Sequence, residues 1–248
     1  MTAARDGGPV RGSFIGGRIL EALAETPRLN GWIYSKLAPN IRGEVLEIGS
    51  GIGNLSRLIV DQATRAIFSD VEPHYLAELR RGFATDSRVT VTHYDLALPP
   101  PPEIANRRFD TIVVVNVIEH IADDRAATAT LAGLLNPGGK LVLYVPACPF
   151  AYGSLDRALG HYRRYTPDSL TALLSGAGLR PEIPAYMNFF GLLGWILNGR
   201  LLRSERLSRR QLRIFERLVP LLRFEDFLRL PVGLGISTFA QKPPDGSG

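Results

Sequence analysis

One run, Glu44-Val-Leu-Glu-Ile-Gly49-Ser-Gly51-Ile-Gly53-Asn54, constrains this chain more than any other. Its apolar start reads as a short buried strand, and Leu55 to Gln62 after it reads as a helix. The glycines between let the backbone turn sharply and approach a ligand, and the helix start offers free N–H groups. The alternation then continues. Ala66 to Asp70 is a second strand, Pro73 to Phe83 a helix and Val89 to His93 a third strand. Pro99 to Pro102 is a loop of four prolines. Phe109 to Val115 is a strongly β-branched fourth strand. Ala126 to Leu135 is helical, Asn136 to Gly139 a turn and Lys140 to Val145 a fifth strand. Strands and helices in this order predict an α/β fold, a Rossmann-like, doubly wound and mostly parallel sheet. Such sheets bind ligands at the carboxyl ends of their strands, which directs attention to 49–54, 70–73, 95–96, 116–120 and 146–161.

With 45% apolar and 21% charged residues, the 248-residue chain has ample material for a core and is not of disordered composition. Cys148 is the single cysteine, which excludes an intramolecular disulfide and a four-cysteine zinc site. Met1 to Arg18 has no apolar stretch of signal-peptide length and reads as a flexible leader. Apolar positions at helical spacing run over 19–38, interrupted at Pro27. The longest charge-free stretch, Ile183 to Gly199, is 17 residues and holds Pro184, Asn188 and Asn198. A spanning helix needs about 20 mostly apolar residues. The expectation is one domain over 19–242, a disordered tail at 243–248 and a cytoplasmic location.

The glycine loop alone admits several nucleotides. A dinucleotide fingerprint places glycine at its sixth position, where this chain has Asn54, and the Gly-Lys-Ser/Thr ending of a phosphate loop is absent. Asp70 ends the second strand, where a carboxylate can accept from both ribose hydroxyls.

Val45 to Asn54 resembles motif I of the class I S-adenosylmethionine-dependent methyltransferases. Asp70-Val71-Glu-Pro73 resembles their ribose-binding acid, Tyr94-Asp95-Leu96 the segment beside adenine, and Phe109 to His120 and Leu135 to Lys140 their fourth- and fifth-strand motifs. The match runs in order from about residue 30 to 180. It implies S-adenosyl-L-methionine as cofactor. Gly49, Ser50, Gly51, Gly53 and Asn54 would pass near its methionine part, and Glu47 would fix the loop from beneath. Asp70 and Val71 would meet the ribose, Asp95 and Leu96 the adenine, and Asn116 would lie near the sulfonium.

Methyl transfer asks the protein for alignment and, where the acceptor's pKa demands it, removal of a proton. The candidate catalytic residues are Glu119, His120 and His161. With Asn116 they are similar to the Glu-x-x-Glu-His…His arrangement of metal-assisted O-methyltransferases, including those of ubiquinone biosynthesis. The chain departs at the first ligand, where Asn116 replaces a carboxylate, and no metal is assigned. Gly160-His-Tyr-Arg-Arg-Tyr165 looks like a signature of one bacterial branch, which also has Trp32-Ile-Tyr34 and Ala151-Tyr-Gly-Ser-Leu-Asp156. Trp32, Tyr34, Tyr152, Arg163, Arg164, Tyr165 and Asn188 are taken as acceptor-side residues. The two arginines suit an anionic group on the acceptor or a solvated pair beside the helix cap at Thr166.

Strand six is expected at Arg180 to Tyr186 and strand seven at Gly235 to Gln241, completing a seven-stranded sheet. The 187–234 segment between them reads as a helical, acceptor-side cap, with Leu207, Leu212, Phe215, Leu218, Leu222, Phe224 and Phe227 spaced as an amphipathic face. Residues 200–230 hold nine Arg and four acids, a net +5 that equals the charge of the whole chain. Three roles fit this cap: a cover for the sheet edge, a lid over an apolar acceptor, or a basic face for anionic membrane through 187–230. The leading function is methyl transfer to a small molecule, most readily at oxygen. The alternatives are a lipid-linked acceptor at a membrane surface, or a SAM-binding partner protein without catalysis. Asn54 disfavours an NAD-dependent reductase. A nucleic-acid partner is disfavoured by the lack of Asn/Asp-Pro-Pro-Tyr/Phe and of aromatics interleaved with arginine.

Overall fold

The computed structural model describes residues 26–204, 208–228 and 230–244. The expected leader, the 19–25 part of the first helix, Leu207 and most of the tail lie outside the described residues. The described residues form a Rossmann-like mixed sheet of eight strands, in the order β3-β2-β1-β4-β5-β8-β6 with β7 also paired to β8. The strands are β1 (Gly43–Ile48), β2 (Ala63–Asp70), β3 (Val89–His93), β4 (Phe109–Val115), β5 (Leu135–Pro146), β6 (Arg180–Pro181), β7 (Ala185–Met187) and β8 (Gly235–Gln241). The first five run parallel, and β8 is antiparallel to β5.

The seven-strand expectation is corrected at one place. The expected sixth strand is two pieces, β6 and β7, each paired with β8. Pro184 lies between them and has no N–H to donate, and Ile183 beside it is 90% exposed. Other differences are at element ends. The helix after β1 shortens to Ser56–Ile59, Pro102 opens a short helix to Ala105, and β5 begins at Leu135, taking in the expected turn.

The central strands read as unbroken apolar runs because both faces are covered. Leu46, Ile112, Leu141 and Leu143 point into one core with the Asp124–Leu134 and Pro167–Gly176 helices. Val45, Phe68, Val113 and Val142 point into the other, with Trp32 of the Pro27–Leu37 helix. The order reverses between β1, which leads to β2 and β3, and its other neighbour β4, which leads to β5. That switch point opens a crevice at the strands' carboxyl ends. Above it sit the cap elements, the Phe189–Ile196 helix, a π-helical turn at Leu197–Leu201, the Arg209–Leu222 helix and a 3₁₀ turn at Arg223–Phe227.

Candidate active site

The crevice has a glycine-lined half and a cavity half. Gly49, Gly51 and Gly53 have φ of 72°, 56° and 85°. A Cβ on Gly49 would lie 2.3 Å from Val117 Cγ2, so the loop after β1 packs directly on the segment after β4. A Cβ on Gly51 would meet nothing within 4 Å among the described residues, which leaves open space over the loop. The loop is held from two sides. Asp70 Oδ2 accepts from Gly51 N at 2.8 Å and Oδ1 from Glu72 N at 3.0 Å, leaving lone pairs on a carboxylate that faces the loop. Glu47 lies beneath and accepts from the Ser56 hydroxyl. Burial pushes the Glu47 carboxyl up to about 7, against the hydroxyl bond that lowers it. Asp95 Oδ1 accepts from Ala97 N, Leu96 is buried and Val71 is exposed. An open glycine loop beside an acid at the end of β2 has the chemistry an adenosyl cofactor requires.

The cavity half encloses about 300 Å³. Asn116, His120, His161, Arg164 and Asn188 line it, among apolar walls that include Tyr144, Trp195, Leu212 and Phe215. Asn116 adopts φ 52° directly after β4, one residue from the Val117 that touches Gly49, so the two halves adjoin at this segment. His120 ends a 3₁₀ turn and His161 follows the Ser154–Leu159 helix; their rings meet edge to face with centroids 4.7 Å apart.

The polar groups around these histidines are unequal. His161 Nδ1 is 3.0 Å from Asp156 Oδ1, and its Nε2 lies 4.0 Å from Glu119 Oε1. Asp156 is fully buried and also accepts from Arg164 Nε, Gly153 N and Trp195 Nε1. Burial alone would raise its carboxyl, but these bonds outweigh it and hold it below the ordinary range. Glu119 is also fully buried, and among the described residues neither of its oxygens has a hydrogen-bond partner. Burial pushes it up to about 7, although His161 and Arg164 pull it down. Burial and the neighbouring His161 push His120 down to about 4. Glu119, His120 and His161 offer ligand atoms all within 4.8 Å of one another, and so could hold a metal ion.

The remaining acceptor-side candidates are not brought to the cavity. Trp32 is buried and donates to Asp226, Tyr34 to Leu58 O, Tyr152 to His161 O and Tyr165 to Asp124. Arg163 pairs with Asp124 at 2.7 Å and donates to Ala122 O. Tyr152 supports His161, and Trp32 anchors the cap; both act from behind the wall. Arg164 also has its guanidinium 4.9 Å from the Trp195 ring centroid, so it is a packed strut of the wall. Sequence reasoning missed Asp156 and Trp195. The sequence places Asp156 five residues before His161, at the end of the Ala151–Asp156 stretch, but carries no sign of its bonds to Arg164 and Trp195.

Residues 46–141 match the family model described as a methyltransferase domain. The chain is 33% identical over 177 residues to a probable S-adenosylmethionine-dependent methyltransferase of Mycolicibacterium smegmatis, covering 67% of this chain and 65% of that protein. It therefore spans just under two thirds of that relative's length. It is 28% identical over 173 residues to a ubiquinone biosynthesis O-methyltransferase of Xylella fastidiosa, covering 62% of this chain and 68% of that one. The fold is similar to the N-methyltransferase NodS of Bradyrhizobium japonicum in complex with S-adenosyl-L-homocysteine, with a TM-score of 0.55 and 16% identity over 96% of this chain and 90% of that one. Residues 46–141 thus match a methyltransferase domain, the fold is similar to that of solved S-adenosylmethionine-dependent methyltransferases, and S-adenosylmethionine is the implied cofactor.

Proposed function

We propose that this chain is an S-adenosylmethionine-dependent methyltransferase that methylates a hydroxyl of a small, largely apolar acceptor. The observation that carries the reading is that one segment, 116–117, touches both half-sites. The glycine loop packs on Val117, the adjoining Asn116 lines the cavity, and two histidines stand in that cavity. The O-methyltransferase among the relatives supports oxygen as the accepting atom.

The bound cofactor would supply a methyl group already activated on a positively charged sulfur. Gly49, Gly51 and Gly53 would take its methionine part, Asp70 its ribose, and Asp95 with Leu96 its adenine. Apolar walls exclude water from the acceptor and orient it. Asp156 fixes the proton on His161 Nδ1, which leaves Nε2 as the acceptor for a hydroxyl proton. His120, held down to about 4, is neutral at pH 7 and too weak a base for this step; it orients the acceptor. A second reading, an acceptor taken from a membrane surface, is favoured by the exposure of Phe190 and Leu197, which also line the cavity.

A thermal-shift comparison tests the cofactor half of the proposal. S-adenosylmethionine and S-adenosylhomocysteine should raise the melting temperature, NAD should not, and Asp70→Ala should remove the shift. Stabilisation by NAD alone would overturn the reading.

A further inference from the structure

Charge in the cap is sorted by direction. Its three described acids all face inward. Glu216 accepts from the backbone N–H groups of Arg28 and Leu29, Glu225 from those of Asn188 and Phe189, and Asp226 from Trp32 Nε1 while pairing with Lys36 at 2.7 Å. The seven described arginines between 200 and 228 are all exposed. Among the described residues Arg203, Arg210, Arg213 and Arg217 form no ion pair. Glu216 and Asp226 therefore tie the cap to the Pro27–Leu37 helix and Glu225 ties it together internally, while the described arginines are left on an exposed, cationic face.

Apolar exposure is concentrated in the same segment. Of sixteen large apolar side chains exposed among the described residues, eleven lie between Phe190 and Leu228. The Arg209–Leu222 helix shows how the two features adjoin. At about 100° per residue, Arg210, Arg213 and Arg217 share an arc of roughly 60°, and Ile214, Leu218 and Leu221 fill the next. Leu212, Phe215 and Val219 lie on the far side, where the first two line the cavity and Val219 is buried. Both flanks of this helix are thus apolar, and on one of them Ile214, Leu218 and Leu221 stay exposed among the described residues. Leu221 and Phe227 are 71% and 81% exposed.

An apolar strip edged by unpaired arginines matches the boundary of an anionic bilayer. The leucines and phenylalanines enter the acyl region, and the guanidinium groups stay with headgroup phosphates. A nucleic acid would use the arginines and leave the apolar strip in water. A second copy of the chain meeting the same face would set arginines against arginines. The strip also leads inward, since Phe190 and Leu197 are exposed and line the cavity that holds His120 and His161.

We infer that the outer face of the cap docks on an anionic lipid surface and that the acceptor is an apolar compound drawn from that surface. The second clause rests on the proposed methyl-transfer reading; the first stands without it.

Co-sedimentation of the full chain with phosphatidylcholine vesicles, with and without phosphatidylglycerol, tests the docking. The chain should pellet with phosphatidylglycerol vesicles at low salt and be released as salt rises. Replacing Arg210, Arg213 and Arg217 together by Gln should weaken partitioning about a hundredfold, at about fivefold per arginine near the surface. Leu221→Ser with Phe227→Ser should weaken it further at every salt concentration. The thermal shift with S-adenosylmethionine should be unchanged in both variants, which shows that they fold. No pelleting at low salt, or pelleting unaffected by either variant, would overturn the inference. Self-association that the Gln variant strengthens, without vesicle binding, would assign the face to a second copy and overturn it as well. Vesicle binding without any S-adenosylmethionine shift would leave the docking standing and sink the proposed function instead.

Discussion

Asp156 Oδ1 lies 3.0 Å from His161 Nδ1, and the same carboxylate accepts from Arg164, Trp195 and the Gly153 backbone. One buried acid thus aligns an imidazole, a guanidinium and the indole of the cavity wall. In the proposed reaction Asp156 is a positioning residue that acts through His161. Asp156→Asn keeps the shape but weakens the preference for Nδ1–H, so kcat should fall about tenfold to a hundredfold. His161→Ala should cost about a hundredfold or more. A positioning role predicts that Asp156→Asn also moves the pH profile of kcat, with little change in cofactor affinity. An unchanged profile with lost cofactor binding would mark Asp156 as structural only.

The contact between Gly49 and Val117 makes a steric prediction. At φ 72°, with Val117 Cγ2 only 2.3 Å from an added Cβ, Gly49→Ala carries both strain and a clash. Gly51→Ala, at φ 56° with open space, carries only the strain, about 1–2 kcal/mol. Denaturant melts should therefore show a larger loss for Gly49→Ala. Its S-adenosylmethionine affinity should fall more, and relief by Val117→Ala would confirm the contact.

Glu119 predicts a pH-dependent stability difference. Its folded carboxyl is pushed up to about 7 from an ordinary value of 4.5. The folded state then holds a proton that the unfolded state has lost, so this group lowers stability as pH rises from about 4.5 to 7. His120, pushed down to about 4 from 6.5, acts in the opposite sense below 6.5. The difference between wild type and Glu119→Gln isolates the acid. Relative to wild type, the Gln variant should gain stability between pH 5 and pH 8, by up to about 3 kcal/mol. A constant difference across that range would contradict the buried, unpaired placement of Glu119.

The histidine cluster predicts an outcome for chelation. Asn116 stands where a carboxylate ligand would, and an amide oxygen brings no charge to the site of a hard divalent cation. Methyl transfer should survive exhaustive treatment with EDTA. Loss of turnover that Mg²⁺ restores would show that Glu119, His120 and His161 do hold a metal.

Much of the sheet was legible because burial on both faces writes long apolar runs, as in Phe109 to Val115. The break at Pro184 was hidden by an apolar stretch that looked continuous, although a missing N–H decides where pairing with β8 stops. Asp70 and the glycines could be read because their spacing after a strand is local. Asp156 could not, since its partners Arg164 and Trp195 lie 8 and 39 residues away and only tertiary packing brings them together. The cap shows the same limit. Its apolar period predicted an inward face, yet Leu218, Phe224 and Phe227 are exposed while Leu212 and Phe215 turn in. Periodicity identifies an amphipathic helix without saying what each flank meets.

Release of S-adenosylhomocysteine in the presence of apolar hydroxyl compounds tests the central claim most directly. Wild type should release it in a time-dependent manner with at least one phenol or long-chain alcohol, and His161→Ala should slow that release about a hundredfold while keeping the thermal shift with S-adenosylmethionine. A full thermal shift with no S-adenosylhomocysteine formed from hydroxyl, amine or carbon acceptors would contradict the account and mark the chain as a cofactor-binding protein that transfers nothing.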